Sequence, residues 1–570
     1  MTTRVGADQT FLDAVRRTLA AGGDRPAFTF LEEGEIDRAE TLSFAALDRA
    51  ARVTAGDLQA KGVRPGDRVM LMQEPGRHMV AGFLGAVYAG AIAVPCYPPS
   101  PFVGAKGDER LRLVVEDAGP TAALTVSTLA PALGSLKETY PELSWVLTDM
   151  AGGSPDAYTP VEAGLHDLAF LQYTSGSTSS PRGVRVTHGS LAANIEMMVE
   201  VYGLSKDTVV CSWLPPFHDM GLIATILLPL TIGCRTVQMA PWAFLRRPDR
   251  WLKAITHFGG TFTAAPNFAY ELCVRRVSDL DGIDLESWTV AVNGAEPVKE
   301  RTLAEFTRKF AECGLRPDAL WPGYGLAEAT LLASTCQRGP GSTLWIDPDQ
   351  LSLGRLVPTE PETGRPLVSC GQSPPGTAVT VCDPATGDPV EDGVVGEIRV
   401  SGPHVCDGYW GDPTLSAEFF PDGVLRTGDL GALWQGSVYV TGRLKDLLIV
   451  RGRNHYPHDI EQTMEAVDPN LRPGCGVAVS VPTDVGELLV LIQEIANDDQ
   501  GEPDRIVETI RRSVSEQHGV SADAVVLVQP SSVPKTTSGK LRRTAAAEAF
   551  RTGGLSVVHQ WTATAVGNRR

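Results

Sequence analysis

The chain has 570 residues, 43% of them apolar, and a formal net charge of −18. That length exceeds the ~100 to 200 residues of one domain, so several lobes are expected, and so acidic a surface argues against general binding of a nucleic-acid polyanion. Ten scattered cysteines without a CxxC pair or zinc spacing, and the polar start MTTRVGADQT, read as reduced thiols in a cytoplasmic protein; the charge-poor stretches 79–94 and 220–234 are interrupted by Gly or Pro and too short for an integral membrane segment.

In chain order, Ser43 is placed to cap a helix carrying Phe44, Leu47, Ala51 and Leu58 near one stripe and ending at Gly62. A strand over 68–73, a helix over 77–89 and a strand over 91–94 follow, the alternation of parallel sheets covered by helices. The apolar run 168–173 and the alternating 184–187 predict two strands joined by a turn within YTSGSTSSPRGV. In that turn Gly176 lets backbone approach phosphate, and Thr174, Ser175, Ser177 and Thr178 offer small hydroxyl donors. It is not a Walker A loop, because no Lys-Ser or Lys-Thr pair opens a helix after it. By itself such a cluster is an ordinary surface loop. Ser190 is then placed to cap a helix beginning at Leu191.

Further strings follow in order: WLPPFHDMGL from Trp213, NGAEPV from Asn293, YGLAEATL from Tyr324, RTGDLG from Arg426, GRLKDLLIVRGRNHYPHDIE from Gly442 and PKTTSGKLRR from Pro534. With YTSGSTSSPRGV they resemble the adenylate-forming superfamily of acyl-CoA synthetases, adenylation domains and luciferases, and more narrowly the fatty acyl-AMP ligases. The resemblance implies an α/β protein. Its large N-terminal adenylate-forming domain, of several subdomains with mostly parallel sheets, would cover 1–444, and a small mobile α/β C-terminal domain would cover 445–570. The hinge would lie in GRLKD, near Lys445 and Asp446.

The same resemblance assigns roles to ATP and Mg²⁺. Glu328 matches the residue that holds Mg²⁺, and a carboxylate shared with phosphate oxygens suits that hard cation. Asp429 matches the acceptor of both ribose hydroxyls, and Arg443 the ribose-contacting arginine at the hinge. Asn293, Gly294, Ala295 and Glu296 match the segment lining the adenine pocket, with Tyr324 supplying an aromatic face and Gly325 backbone groups. Lys540 matches the catalytic cation that bridges carboxylate and phosphate. His218 is a candidate for orienting the acyl carboxylate, although a structural histidine fits the string as well; a His218–Asp219 metal pair is rejected because no further ligands are patterned nearby.

The implied reaction is fatty acid plus ATP giving acyl-adenylate and pyrophosphate, followed by capture on a separate holo acyl carrier protein. The strings FLRRPDRWLKAI and APNFAYELC are similar to those of fatty acyl-AMP ligases, and the stretch 339–366 resembles the insertion that separates these ligases from acyl-CoA synthetases. Ser179, Ser180 and Arg182 depart from the synthetase pattern and leave a phosphate role for Arg182 open. An acyl-CoA synthetase, or an adenylation enzyme for another carboxylic acid, is the alternative.

Overall fold

The computed structural model describes residues 9–98, 104–174, 181–337, 339–450, 453–483, 486–496, 502–536 and 540–563; of residues 104–108, 483 and 486 it describes the backbone alone. Ser43 caps the helix Phe44–Ala60, its hydroxyl accepting from the Ala46 N–H at 3.2 Å, and Phe44, Leu47, Ala51 and Leu58 are fully buried. The strands foreseen over 68–73 and 91–94 run Arg68–Leu71 and Ile92–Pro95, on either side of the helix Arg77–Tyr88. One start is corrected. The helix foreseen from Leu191 is His188–Tyr202 and is capped by Thr187; Ser190 is its reciprocal partner, receiving the Thr187 N–H while its own N–H bonds the threonine hydroxyl. Two hydroxyl residues three apart satisfy two otherwise orphan donors at once, so the earlier one takes the cap.

Two large sheets build the N-terminal body. One has six strands in the order Ser144–Leu147, Ala122–Thr125, Arg68–Leu71, Ile92–Pro95, Leu168–Thr174 and Arg182–Thr187, parallel except for the last hairpin. The other has eight, with parallel strands such as Val209–Ser212, Phe262–Ala265 and Val290–Asn293 at its centre and an antiparallel strand at each edge. Parallel strands buried on both faces need apolar residues throughout, which is why Phe262–Ala265 and Val290–Asn293 are buried along their whole length. A four-stranded antiparallel sheet, Ala378–Cys382 through Ser437–Arg443, completes this body.

Within 339–366 and just beyond, Thr343–Ile346 pairs antiparallel with Arg365–Val368, and the short helix Pro348–Ser352 between them is capped by Asp347. Ile346, Leu351, Leu356 and Leu367 pack with Leu430, Ala432, Tyr439 and Tyr456, so this hairpin has its own small core against the antiparallel sheet. Beyond the 3₁₀ turn Leu444–Asp446, the strands Leu471–Thr483, Gly486–Ile495, Ala524–Val528 and Val557–Thr562 form a four-stranded mixed sheet. Alternate residues of Ala524–Val528 enter separate apolar clusters on its two faces. All ten cysteines are buried thiols. Among the described residues no helix is long and apolar enough to cross a membrane.

Candidate active site

A cleft of about 2580 Å³ runs between the N-terminal body and the C-terminal lobe. Ordinary small-molecule sites enclose ~300 to 1,000 Å³, so this one has room for two ligands side by side. One wall starts where Thr174 faces Arg182 across the hairpin, and both residues line it. Arg182 lays its guanidinium over Tyr409 and Phe419. Ser175, Gly176, Ser177 and Thr178 lie outside the described residues.

At the end of the strand Val290–Asn293 the chain turns through Gly294, Ala295 and Glu296, all on the cleft wall. A side chain at Gly294 would come within 2.9 Å of the Gly323 carbonyl oxygen, and Ala295 sits at φ 65°. Left-handed backbone at a non-glycine residue costs on the order of 1 kcal/mol, which surrounding contacts must offset. One such contact is the Phe268 N–H donating to Glu296 at 2.5 Å. Asn293 departs from its expected place on the adenine wall: it is wholly buried behind it, its amide donating to Asn267 at 3.3 Å. Asn267 in turn bonds Thr302 and accepts the Lys299 N–H, so Asn293 belongs to the support of the turn. Strand alternation explains the difference, because Gly294 and not Asn293 is the residue at which the chain leaves the sheet.

Tyr324 and Gly325 lie at the end of the neighbouring strand and line the cleft. Any side chain at Gly325 would sit 1.9 Å from the Leu331 carbonyl oxygen, so only glycine permits this turn. The Tyr324 hydroxyl donates to Asp429 at 2.8 Å, and Arg443 lies 3.1 Å from the other Asp429 oxygen, as its antiparallel register partner. Glu328 follows on a single 3₁₀ turn. Its half-buried carboxylate accepts from the Tyr409 hydroxyl at 2.9 Å, and burial pushes it above the usual carboxylate range. The next turn is held at Thr330, φ 61°, by a 2.7 Å bond to the His404 carbonyl.

His218 and Asp219 precede a buried π-helix, Met220–Leu227, whose first N–H is taken by Asp219 at 2.7 Å. Gly221 makes the tight entry possible, since a side chain there would meet the Pro215 carbonyl oxygen at 2.2 Å. The buried Nε2 of His218 has no hydrogen-bond partner among the described residues. Burial first, then the charges of Lys540 and Arg110, push its imidazole down to about 3. Burial raises Asp219 and Glu296, and Lys540 opposes it at both. One ammonium from the C-terminal lobe is thus felt by three groups of the N-terminal body. Its backbone is fixed by the Lys540 N–H donating to the Thr536 hydroxyl at 3.0 Å and by the Lys540 carbonyl accepting from the Thr536 N–H at 2.7 Å.

The sequence profile of the AMP-binding enzymes matches residues 15–410, and that of the AMP domain of disco-interacting protein 2-like proteins matches 445–560. The chain is 37% identical to the medium-chain-fatty-acid–[acyl-carrier-protein] ligase JamA of Moorena producens, over 97% of this chain and 96% of that protein. It is 39% identical to the long-chain-fatty-acid–AMP ligase FadD26 of Mycobacterium marinum, over 93% and 95%. A structure from a study of fatty acyl-adenylate ligases of E. coli and L. pneumophila superposes with a TM-score of 0.88 at 32% identity, covering 96% of this chain and 98% of that one.

The chain is a fatty acyl-AMP ligase of the AMP-binding enzyme family. In this ligase Thr174, Gly294, Ala295, Glu296, Tyr324, Gly325, Glu328, Asp429, Arg443, His218 and Lys540 all border one cleft. The same cleft has apolar lining, with Met198, Tyr202, Trp213, Phe262 and Phe268 among its residues. Polar and apolar lining share this cleft, and the Lys540 charge reaches His218, Asp219 and Glu296 on it. Sequence reasoning missed Tyr409, the hydroxyl partner of Glu328 from 81 positions away. It also missed the ion pairs of Arg543, which lies 3.0 Å from Asp446 and 2.7 Å from Glu461 and so ties the Leu444–Asp446 turn to the C-terminal lobe. Neither partnership has a local signal, since both depend on tertiary contact.

Proposed function

We propose that this ligase activates a fatty acid with ATP and passes the acyl group to the phosphopantetheine thiol of a separate holo acyl carrier protein. A carboxylate oxygen attacks the α-phosphorus, the bond to the β-phosphate oxygen breaks, and pyrophosphate leaves with the electron pair. The thiolate then attacks the acyl carbonyl and AMP leaves. The observation that carries this reading is the position of Lys540 on the cleft, where its charge reaches His218, Asp219 and Glu296. An ammonium there offsets the negative charge of carboxylate and phosphate as they approach, and in an enclosed site such stabilisation dominates phosphoryl chemistry.

Asp429, held between Tyr324 and Arg443, is assigned the ribose hydroxyls, and Gly294 to Glu296 with Tyr324 the adenine. Thr174 begins the segment assigned to the β- and γ-phosphates. His218, neutral across the physiological range, orients the acyl carboxylate through its unpartnered Nε2. Among the described residues no three His, Cys, Asp or Glu side chains cluster as a metal cage. Mg²⁺ would therefore be held by Glu328 together with nucleotide oxygens, which fits an ion that keeps few protein ligands and supplies charge neutralisation. The turn Leu444–Asp446 is the proposed hinge between domains 1–444 and 445–570, and the enzyme is assigned to the cytoplasm.

The test is an acid panel with ATP and Mg²⁺, offering CoA or a holo carrier protein as acceptor. Accumulation of acyl-adenylate with transfer to the carrier supports the reading. Rapid formation of a CoA ester assigns the enzyme to acyl-CoA synthesis instead, and pyrophosphate release only with amino or aryl acids removes the fatty acid.

A further inference from the structure

The six-residue helix Pro241–Arg246 has two unlike faces. Inward, Phe244 is wholly buried and stacks on Trp213 at 4.1 Å, and Trp213 in turn meets Phe268 at 5.8 Å on the apolar wall of the cleft. Outward, Trp242 and Leu245, three residues apart and so neighbours on one face, are 50% and 45% exposed. Large apolar side chains with so much surface in water mark a contact surface when a particular chemistry surrounds them.

Here the surroundings are cationic. Arg246 is exposed, and the exposed Arg276 donates to the Leu245 carbonyl at 3.0 Å, which fastens the end of the neighbouring helix Asn267–Arg276 beside this face. Neither arginine has a carboxylate within salt-bridge distance among the described residues. Arg275 is 3.8 Å from Glu271, a carboxylate that it shares with Lys299. The flanking acids are already engaged, Asp249 by Arg247 and Lys253 and Glu35 by Arg250. Glu32 and Glu33 lie on the adjoining turn, with Glu33 paired to Arg38. On a molecule of net charge −18, an excess of arginine around an exposed tryptophan and leucine is a local reversal of sign.

We propose that this face, Trp242 and Leu245 with Arg246 and Arg276, is a docking surface for an anionic lipid bilayer. Tryptophan is stable at the boundary between headgroups and acyl chains, and arginine binds anionic headgroups. Docking here sets the bilayer against the helix whose inner side backs the acyl chamber, while Leu245 and Arg276 border the cleft itself. A sparingly soluble fatty acid would then pass from lipid to cleft without crossing water.

Co-sedimentation of the full-length enzyme with vesicles tests this. One set is phosphatidylcholine, the other phosphatidylcholine mixed with phosphatidylglycerol. Binding is expected to the anionic set, to weaken with salt, and to fall roughly thirtyfold in Arg246→Glu, from about 1 kcal/mol per cation at such a surface and roughly twice that on reversal. Trp242→Ser should also lose binding. Both variants should keep the wild-type melting temperature and the adenylation rate with a short, water-soluble acid, while adenylation of a long-chain acid supplied in anionic vesicles slows. Equal binding of the wild type to both vesicle sets, or unchanged binding by both variants, overturns the proposal. So does loss of acyl transfer to the holo carrier with vesicle binding intact, which would make the face a site for an acidic protein.

Discussion

Lys540 acts on the N-terminal body as a charge: its ammonium is felt by His218, Asp219 and Glu296, and its main chain is held by Thr536. Removing it should leave packing intact. Lys540→Ala is expected to lower adenylation by about two to three orders of magnitude, the range for loss of one preorganised electrostatic group, with an unchanged melting curve; pyrophosphate release and circular dichroism check the two halves. Tyr409→Phe should raise the Mg²⁺ concentration needed for half-maximal rate several-fold, because Glu328 loses the bond that fixes its orientation, and a magnesium titration at saturating ATP reads it. A third residue, His188, stacks on Phe11, and burial pushes its imidazole down to about 4. Its folded value lies below the unfolded one of ~6.5, so the unfolded chain binds the extra proton and stability falls as pH drops from 6.5 toward 4. By pH 5 the loss is about 2 kcal/mol, and His188→Phe should flatten that part of a urea-midpoint profile against pH. That Lys540, Glu328 and Asp429 share one cleft was legible because each sits in a string whose neighbours fix its type. Tyr409 and the inward turn of Asn293 were not, because a hydroxyl partner 81 positions away and the side of a strand on which the chain exits are set by tertiary packing.

The insertion illustrates what an element can do that its residues cannot. In the sequence it is a stretch that resembles a family insertion, without a structure of its own, whereas in the fold it is a hairpin with its own hydrophobic contacts and a charged edge toward the C-terminal lobe. Arg365 lies 2.8 Å from Asp459, with both side chains less than one fifth exposed, and bonds His458 at 2.7 Å; Arg453 reaches Asp349 at 3.1 Å. The Arg365–Asp459 approach is close but not aligned as a hydrogen bond, since Arg365 Nη1 is otherwise unpartnered. Removal of the guanidinium still leaves a buried carboxyl beside an apolar hairpin, at a cost to the docked arrangement on the order of 2 to 3 kcal/mol. Arg365→Ala should therefore hasten proteolysis at the Leu444–Asp446 turn, with limited digestion as the readout, and trimming the hairpin should raise thioester formation with CoA relative to the carrier. Unchanged acceptor choice after trimming would separate the hairpin from acceptor selection. The hairpin's pairing was not legible because Thr343–Ile346 and Arg365–Val368 are short strands whose register is fixed by the antiparallel sheet beneath them.

At the scale of the whole molecule, a chain of net charge −18 gathers cations from distant parts of its length at one place: Arg182, Arg443 and Lys540 all border one cleft. Two of these come from the body and its edge and the third from the C-terminal lobe, so the charge balance of the site depends on how the lobes meet. The alternation of strand and helix announced an α/β protein, but the order of the eight-stranded sheet, in which Arg235–Met239 lies between Val209–Ser212 and Pro26–Leu31, follows from long-range pairing that periodicity does not encode. Where the lobes join, Asp446 is bound to Arg543, an arginine that also holds Glu461, so the last residue of the connecting turn moves with the C-terminal lobe. If this turn is the hinge, as proposed, reorientation would take place in its backbone. Proline locks φ and limits its predecessor, so Asp446→Pro should restrict the reorientation while leaving the cleft residues in place. Single-turnover adenylation by this variant is expected to stay within a few-fold of wild type, whereas acyl transfer to the holo carrier falls by at least about tenfold. Equal loss of both half-reactions would show that one lobe arrangement serves the entire cycle, and would remove the Leu444–Asp446 turn as its pivot.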